Sequence, residues 1–151
     1  MADTKERIKA DLTAALKAGD AALALTLRYL LAEIHNGEIA KGRDATLTEE
    51  ELASLLQKQA KQRTESIEAY QKGGRDDLVE KEKNELEVIQ SYLPEQMGEE
   101  EIKKLVAEAV SQTGAAGITD MGKVMGALMP AVKGKADGSL VSRLVKEALS
   151  S

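Results

Sequence analysis

The chain has 151 residues, a formal charge of −5 and 31% charged residues of both signs, and it contains no cysteine, phenylalanine or tryptophan. That length allows one domain or two small ones, and the missing cysteines exclude a disulfide framework and a thiolate zinc site. Interspersed charge excludes a basic nucleic-acid-binding tail, and no run of about 18 apolar residues is available to cross a membrane. Hydrophobic residues make up 42% of the sequence, much of it alanine, so a core must be built from Leu, Ile, Val, Met and Ala. The charged opening, Met1 to Arg7, offers no apolar leader, and together with the cysteine-free composition it sets the cytoplasm as the expected compartment.

Apolar residues fall at helical spacing and glycines mark the breaks, which predicts an all-α chain of seven helices. The first, about residues 4–17, places Ile8, Leu12 and Leu16 on one inner line and meets Gly19 as a C-cap. Asp20 caps a second helix with Leu23, Leu27, Leu30, Leu31 and Ile34 inward, fading near Gly37 and ending around Gly42-Arg43-Asp44. Thr48 and Glu51 form a capping box that opens the third. Its inner line, Leu52, Leu55, Leu56, Gln59, Arg63, Ile67 and Tyr70, is less apolar in the middle than a plain core face, and Gly73-Gly74 stops it. A fourth helix from about Asp76 to Tyr92 puts Leu78, Glu82, Leu86, Ile89 and Leu93 inward until Pro94 ends it.

Pro94 is the expected boundary between an N-terminal helical bundle, residues 1–93, and a small three-helix tail domain, residues 94–151. Glu99, Glu100 and Glu101 suit the first turn of the fifth helix, whose stripe is Ile102, Leu105, Val106, Ala109 and Val110. Thr119 is the expected cap of a short sixth helix with Met121, Val124, Met125, Leu128 and Met129 inward, ended by Pro130. After the turn at Gly134 to Gly138, a last helix from about Ser139 carries Leu140, Val141, Leu144, Val145, Ala148 and Leu149.

Few residues suggest chemistry. Gly117 to Lys123 matches the phosphate-loop pattern, but Val124 stands where a magnesium-binding hydroxyl is needed and a helix, not a strand, precedes it. His35 is the only histidine, so no two-histidine metal site can be assembled, and no serine stands in a nucleophile context such as G-x-S-x-G that would make it a triad base. We therefore expect no catalytic residues, no metal and no cofactor. Gly122 and Gly126 stand four apart in the sixth helix at a cost of about 1 kcal/mol each, which points first to tight helix packing and second to close approach of a ligand backbone. The last 33 residues carry Lys123, Lys133, Lys135, Arg143 and Lys146 against three acids, a local charge of +2, whereas the preceding 118 carry −7. With Gly134 in the turn and the amides opening the last helix, these groups could hold a phosphate backbone, or they are a solvated face.

Met121-Gly122-Lys123-Val124-Met125, Lys133 to Gly138 and Val141-Ser142 resemble the tail domain of the B subunit of glutamine-dependent tRNA amidotransferase. Lys61-Gln62-Arg63, Gly74 to Leu78, Glu82, Glu85 and Tyr92-Leu93-Pro94 resemble the stand-alone YqeY proteins, so the likeness covers nearly the whole chain. It implies an accessory, non-catalytic role beside a carbon–nitrogen ligase that uses glutamine as amide donor. The implied partners are tRNA and an amidotransferase or tRNA-synthetase complex. RNA contacts are then expected at Lys123, Lys133, Gly134, Lys135, Arg143 and Lys146. No aromatic residue follows Tyr92, so base stacking is not available there and RNA shape and phosphates are the expected target. The competing reading is a protein adaptor in which Arg63, Arg75, Glu82 and Glu85 form a polar network or a partner groove.

Overall fold

A computed structural model describes residues 3–150. Those residues form seven α-helices and one 3₁₀ turn, with no strand among them: α1 (Thr4–Ala18), α2 (Ala21–Lys41), α3 (Glu49–Lys72), α4 (Asp76–Ser91), α5 (Glu99–Thr113), the 3₁₀ turn Ile118–Asp120, α6 (Met121–Val132) and α7 (Gly138–Ser150). The contacts divide the chain into two compact units that meet in sequence between Leu93 and Pro94.

In the first unit α1 packs along α2 and α3 along α4, and α2 joins the two hairpins. Local chemistry sets the helix starts. Asp3 accepts from the Glu6 amide, Asp20 from the Leu23 amide, and Thr48 and Glu51 close the full capping box. Gly19, at φ 73°, ends α1 in the left-handed region that a side chain disfavours. The core joins Ile8 and Ala15 from α1, Leu27, Leu30 and Ile34 from α2, Leu52 and Leu56 from α3, and Ile89 with Tyr92 at the end of α4. Each fully buried Leu or Ile contributes about 2 kcal/mol by removal from water. Leu16 stands 51% exposed, so the inner line of α1 runs Ile8, Leu12, Ala15. Steps of four drift off a 3.6-residue turn, and Ala15 takes the place Leu16 was expected to fill. α2 ends at Gly42 as expected but does not fade at Gly37: a Cβ there would come within 3.3 Å of both Leu47 and Leu55, so the glycine lets the loop and α3 close onto a continuous helix.

The second unit packs α5, α6 and α7 around Ile102, Val106, Val124, Leu128, Val132, Val141, Leu144 and Val145. Gly98 opens α5 with no side-chain cap, and Glu99, Glu100 and Glu101 fill the first turn where the helix dipole favours them. Two boundaries differ from expectation. The Asp120 carboxylate accepts from the Ala116 amide, and the 3₁₀ turn rather than a Thr119 cap leads into α6. Pro130 lies inside α6, which continues to Val132. So near the end, the proline removes only one amide donor, and Lys133 still donates to the Met129 carbonyl.

Candidate functional site

Two groups of residues stand out, one in each unit. In the first, Arg63 on α3 lies between two carboxylates of α4, with Nε 2.8 Å from Glu85 Oε2 and 3.5 Å from Glu82 Oε2. All three side chains are more than four-fifths buried. The guanidinium carbon sits 5.0 Å from the centre of the Tyr29 ring on α2, so the cation is held by an aromatic face as well as by charge. One turn before Arg63, Gln59 is 4% exposed, with Nε2 3.5 Å from Glu33 Oε2. Gln59 Oε1 and Glu82 Oε2 are shut off from solvent without a hydrogen-bond partner. The pair of carboxylates shares one fixed cation, which ties α3 to α4.

Arg75 is not part of this group. It is exposed and pairs at 3.3 Å with Asp77, its neighbour at the opening of α4, which raises the guanidinium pKa and lowers that of the carboxyl. The adaptor reading grouped Arg75 with Arg63, but the turn at Gly73-Gly74 carries it to the far end of the α3–α4 hairpin.

Two further clamps in this unit carry no signal in the helical periodicity. Glu38 is buried on α2 and takes Lys5 of α1 at 2.8 Å. Tyr92, 8% exposed, donates its hydroxyl to Asp11 of α1 at 2.5 Å, and Arg7 lies 5.5 Å from its ring centre. Burial, and then the hydrogen bond to Asp11, raise the phenol pKa well above its ordinary value. His35 is exposed, and among the described residues no cluster of three His, Asp or Glu side chains could hold a metal.

In the second unit, Lys133 and Lys135 flank Gly134 in the turn between α6 and α7. Gly134 requires φ 78°, and its carbonyl accepts from Gln96 Nε2 at 3.0 Å, while the Met97 amide donates to the Lys135 carbonyl at 2.8 Å. Ala136 behind the turn enters the core. The two lysines are thus exposed on a backbone tied down on both sides. Arg143 and Lys146 are exposed one turn apart on α7, and Lys123 is exposed in the first turn of α6. Their charges are partly answered: Arg143 lies 3.6 Å from Glu99 and 3.7 Å from Glu147, and Lys123 lies 3.9 Å from Asp120.

Two expectations for this unit are narrowed or overturned. The opening of α7 is partly capped by its own chain, because Asp137 Oδ1 accepts from the Ser139 amide at 3.2 Å. Gly122 and Gly126 do not serve tight helix packing, since a Cβ at either position would meet nothing within 4 Å. Both are exposed on α6, on the side turned away from Val124 and Leu128. Val124 is fully buried in the core, so the residue after Lys123 cannot face a nucleotide and the phosphate-loop likeness has no structural counterpart.

Together these features define an all-helical chain of two units with a rigid ion-pair cluster and a separate basic turn. A model of the family described as Yqey-like protein matches residues 5–149, and the chain belongs to that family. It is similar to the protein named "Altered inheritance of mitochondria protein 41, mitochondrial" of Pyrenophora tritici-repentis, 38% identical over 146 residues that cover 95% of this chain and 79% of that one. The protein of the same name from Eremothecium gossypii is 43% identical over 91 residues, covering 60% of this chain and 49% of its own length. That from Lachancea thermotolerans is 44% identical over 92 residues, again 60% of this chain and 48% of its own. These names overturn the cytoplasmic assignment, because the relatives are called mitochondrial. The inference failed because a chain without cysteine needs no disulfide in any compartment, so its composition does not separate one from another. No helix among the described residues is long and apolar enough to cross a membrane.

Proposed function

We propose that the chain is a non-catalytic accessory protein that binds structured RNA of the tRNA class through its second unit, in association with a glutamine-dependent tRNA amidotransferase or a tRNA-synthetase complex. The observation that carries this reading is the exposed glycine pair of α6. Gly122 and Gly126 leave two side-chain-free positions on a helix surface that also bears Lys123, with Lys133 just past its end. Nothing packs there, so the cost of the glycines is consistent with close approach of a phosphodiester backbone, for which the lysines supply charge. Lys135 on the fixed turn, with Arg143 and Lys146 on α7, extends the basic group, and Gly134 holds the turn in its left-handed conformation. The contacts expected are phosphate contacts. Asp137 takes the Ser139 amide at the opening of α7, so the exposed side chains are the principal carriers.

The test is binding of the full chain to bulk tRNA across a salt series. Replacing Lys133, Lys135, Arg143 and Lys146 by Gln should abolish binding with helicity intact, because all four side chains are exposed. Each lost phosphate contact lowers the slope of log affinity against log salt by roughly 0.7 to 0.9. A quadruple variant that binds as well as the parent, or a parent that does not bind at low salt, overturns the reading.

A further inference from the structure

The second helix has more apolar surface than its core uses. Leu27, Leu30 and Ile34 face inward, yet Leu25 is 62% exposed and Tyr29 41% exposed on another side, one turn apart. A helix that is apolar on two sides in a water-soluble bundle has a face without a partner. Beside this ridge run three adjoining depressions of about 390, 420 and 560 Å³. The first two share Leu25, Thr26, Lys81 and Glu85, and Tyr29 links the second to the third. They form one groove along α2 from Ala22 to Asn36, with α4 as the wall at one end and α3 at the other. At 1.5 Å per residue that stretch of α2 is about 21 Å long, the length of roughly four helical turns.

The charge of the groove narrows the occupant. Five carboxylates line it, those of Asp20, Glu33, Glu82, Glu85 and Glu87, against three cations. Arg63 is set against Glu82, Glu85 and the Tyr29 ring, which leaves the carboxylates of Asp20, Glu33 and Glu87 against Lys58 and Lys81. The floor holds Gln59, 4% exposed, whose Oε1 has no donor, as does Glu82 Oε2. The accessible apolar groups, Leu25 and Tyr29, lie in one line. An RNA backbone would be repelled here, and an acidic segment likewise.

We propose that this groove docks an amphipathic helix of a partner protein, with apolar side chains on Leu25 and Tyr29 and Lys or Arg side chains toward Glu33 and Glu87. The Arg63 cluster then acts as a fixed floor that holds α3 and α4 at the spacing the incoming helix needs. Docking of this kind belongs to the helix-in-groove mode, read by anchors at i, i+3, i+4 and i+7. It lies wholly within the first unit and does not depend on RNA binding by the second.

The test uses the full chain, labelled with ¹⁵N, and a synthetic helical peptide of about four turns with Leu along one face and Lys beside it. Two control peptides carry Glu in place of Lys, or the same residues scrambled to destroy the apolar face. The basic amphipathic peptide should shift the amide resonances around Leu25, Tyr29 and Glu85. Leu25→Glu and, separately, Glu87→Lys should each weaken binding about tenfold. Both positions are exposed, so neither change disturbs the fold. Equal shifts with either control peptide, or none with the basic one, overturn the proposal. Shifts of the same resonances by tRNA overturn it too, because they would make the groove an RNA surface.

Discussion

Replacing Gly126 by Ala should make the second unit more stable and the protein a poorer tRNA binder. Alanine in mid-helix is favoured over glycine by about 1 kcal/mol, because the unfolded chain loses freedom it no longer has to give up. A Cβ at residue 126 meets nothing within 4 Å, so no clash offsets that gain. Gly122 lies in the first turn, where propensity counts for less, and its substitution should add about half as much. In a unit of this size each kcal/mol moves the thermal midpoint by roughly 4 to 8 °C. Circular dichroism melts of parent, single and double variants give the stability, and a tRNA titration of the same samples gives the affinity. Opposite signs in the two assays identify glycines kept for what approaches them. One structural competitor exists. Gly126 stands four residues before Pro130, where the proline ring crowds a carbonyl and a glycine eases the bend. That explanation predicts a loss of stability for Gly126→Ala and no change for Gly122→Ala, and a melt of that pattern refutes a ligand-facing role for the glycine pair.

Arg63→Met should destabilise the first unit by about 3 kcal/mol, since two largely buried carboxylates lose their cation, and Glu82→Gln with Glu85→Gln in the same chain should restore most of it; urea unfolding measures both. Tyr92→Phe should cost about 1 kcal/mol at neutral pH. Because the folded protein raises the Tyr92 pKa, its contribution is complete below the ordinary phenol value of about 10 and declines as pH rises beyond it, so the difference in thermal midpoint between parent and Tyr92→Phe should shrink in that alkaline range. A gap that stays constant with pH contradicts the hydrogen bond to Asp11 as its source. Brief proteolysis should cut between residues 91 and 98 and leave a helical C-terminal fragment, and one resistant species without fragments speaks against separable units.

The helices were legible because their signals are local. Asp20, Thr48 with Glu51, and Gly19 act within one turn, and the structure uses each of them as a cap. The polar middle of α3 was also visible, since Gln59 and Arg63 interrupt an otherwise apolar line that runs from Leu52 to Ile67. What covers Arg63 was not legible in full. Glu82 and Glu85 could be grouped with it by family likeness, but Tyr29 comes from a different hairpin, and periodicity carries no information on which helix faces it. The same holds for Glu38 with Lys5 and for Tyr92 with Asp11, pairs made by tertiary packing. Glycine was ambiguous for another reason. Gly37 and Gly126 both sit inside helices, yet only Gly37 has Leu47 and Leu55 against its Cα. A sequence records that a side chain is missing and not what occupies the space.

The bond between Tyr92 and Asp11 spans 81 positions of sequence, almost the full extent of the first unit. Its second member is one of the last residues before Pro94, so a chain emerging from the ribosome carries α1, α2 and α3 for most of that unit's synthesis without the group that fastens its far end. Until Tyr92 has emerged, Asp11 faces water and the place of the phenol ring is vacant. Completion of the unit thus coincides with the start of the next one. A nascent chain halted a few residues short of Tyr92 should remain open to a chaperone, and one halted a few residues beyond the exit of Pro94 should not.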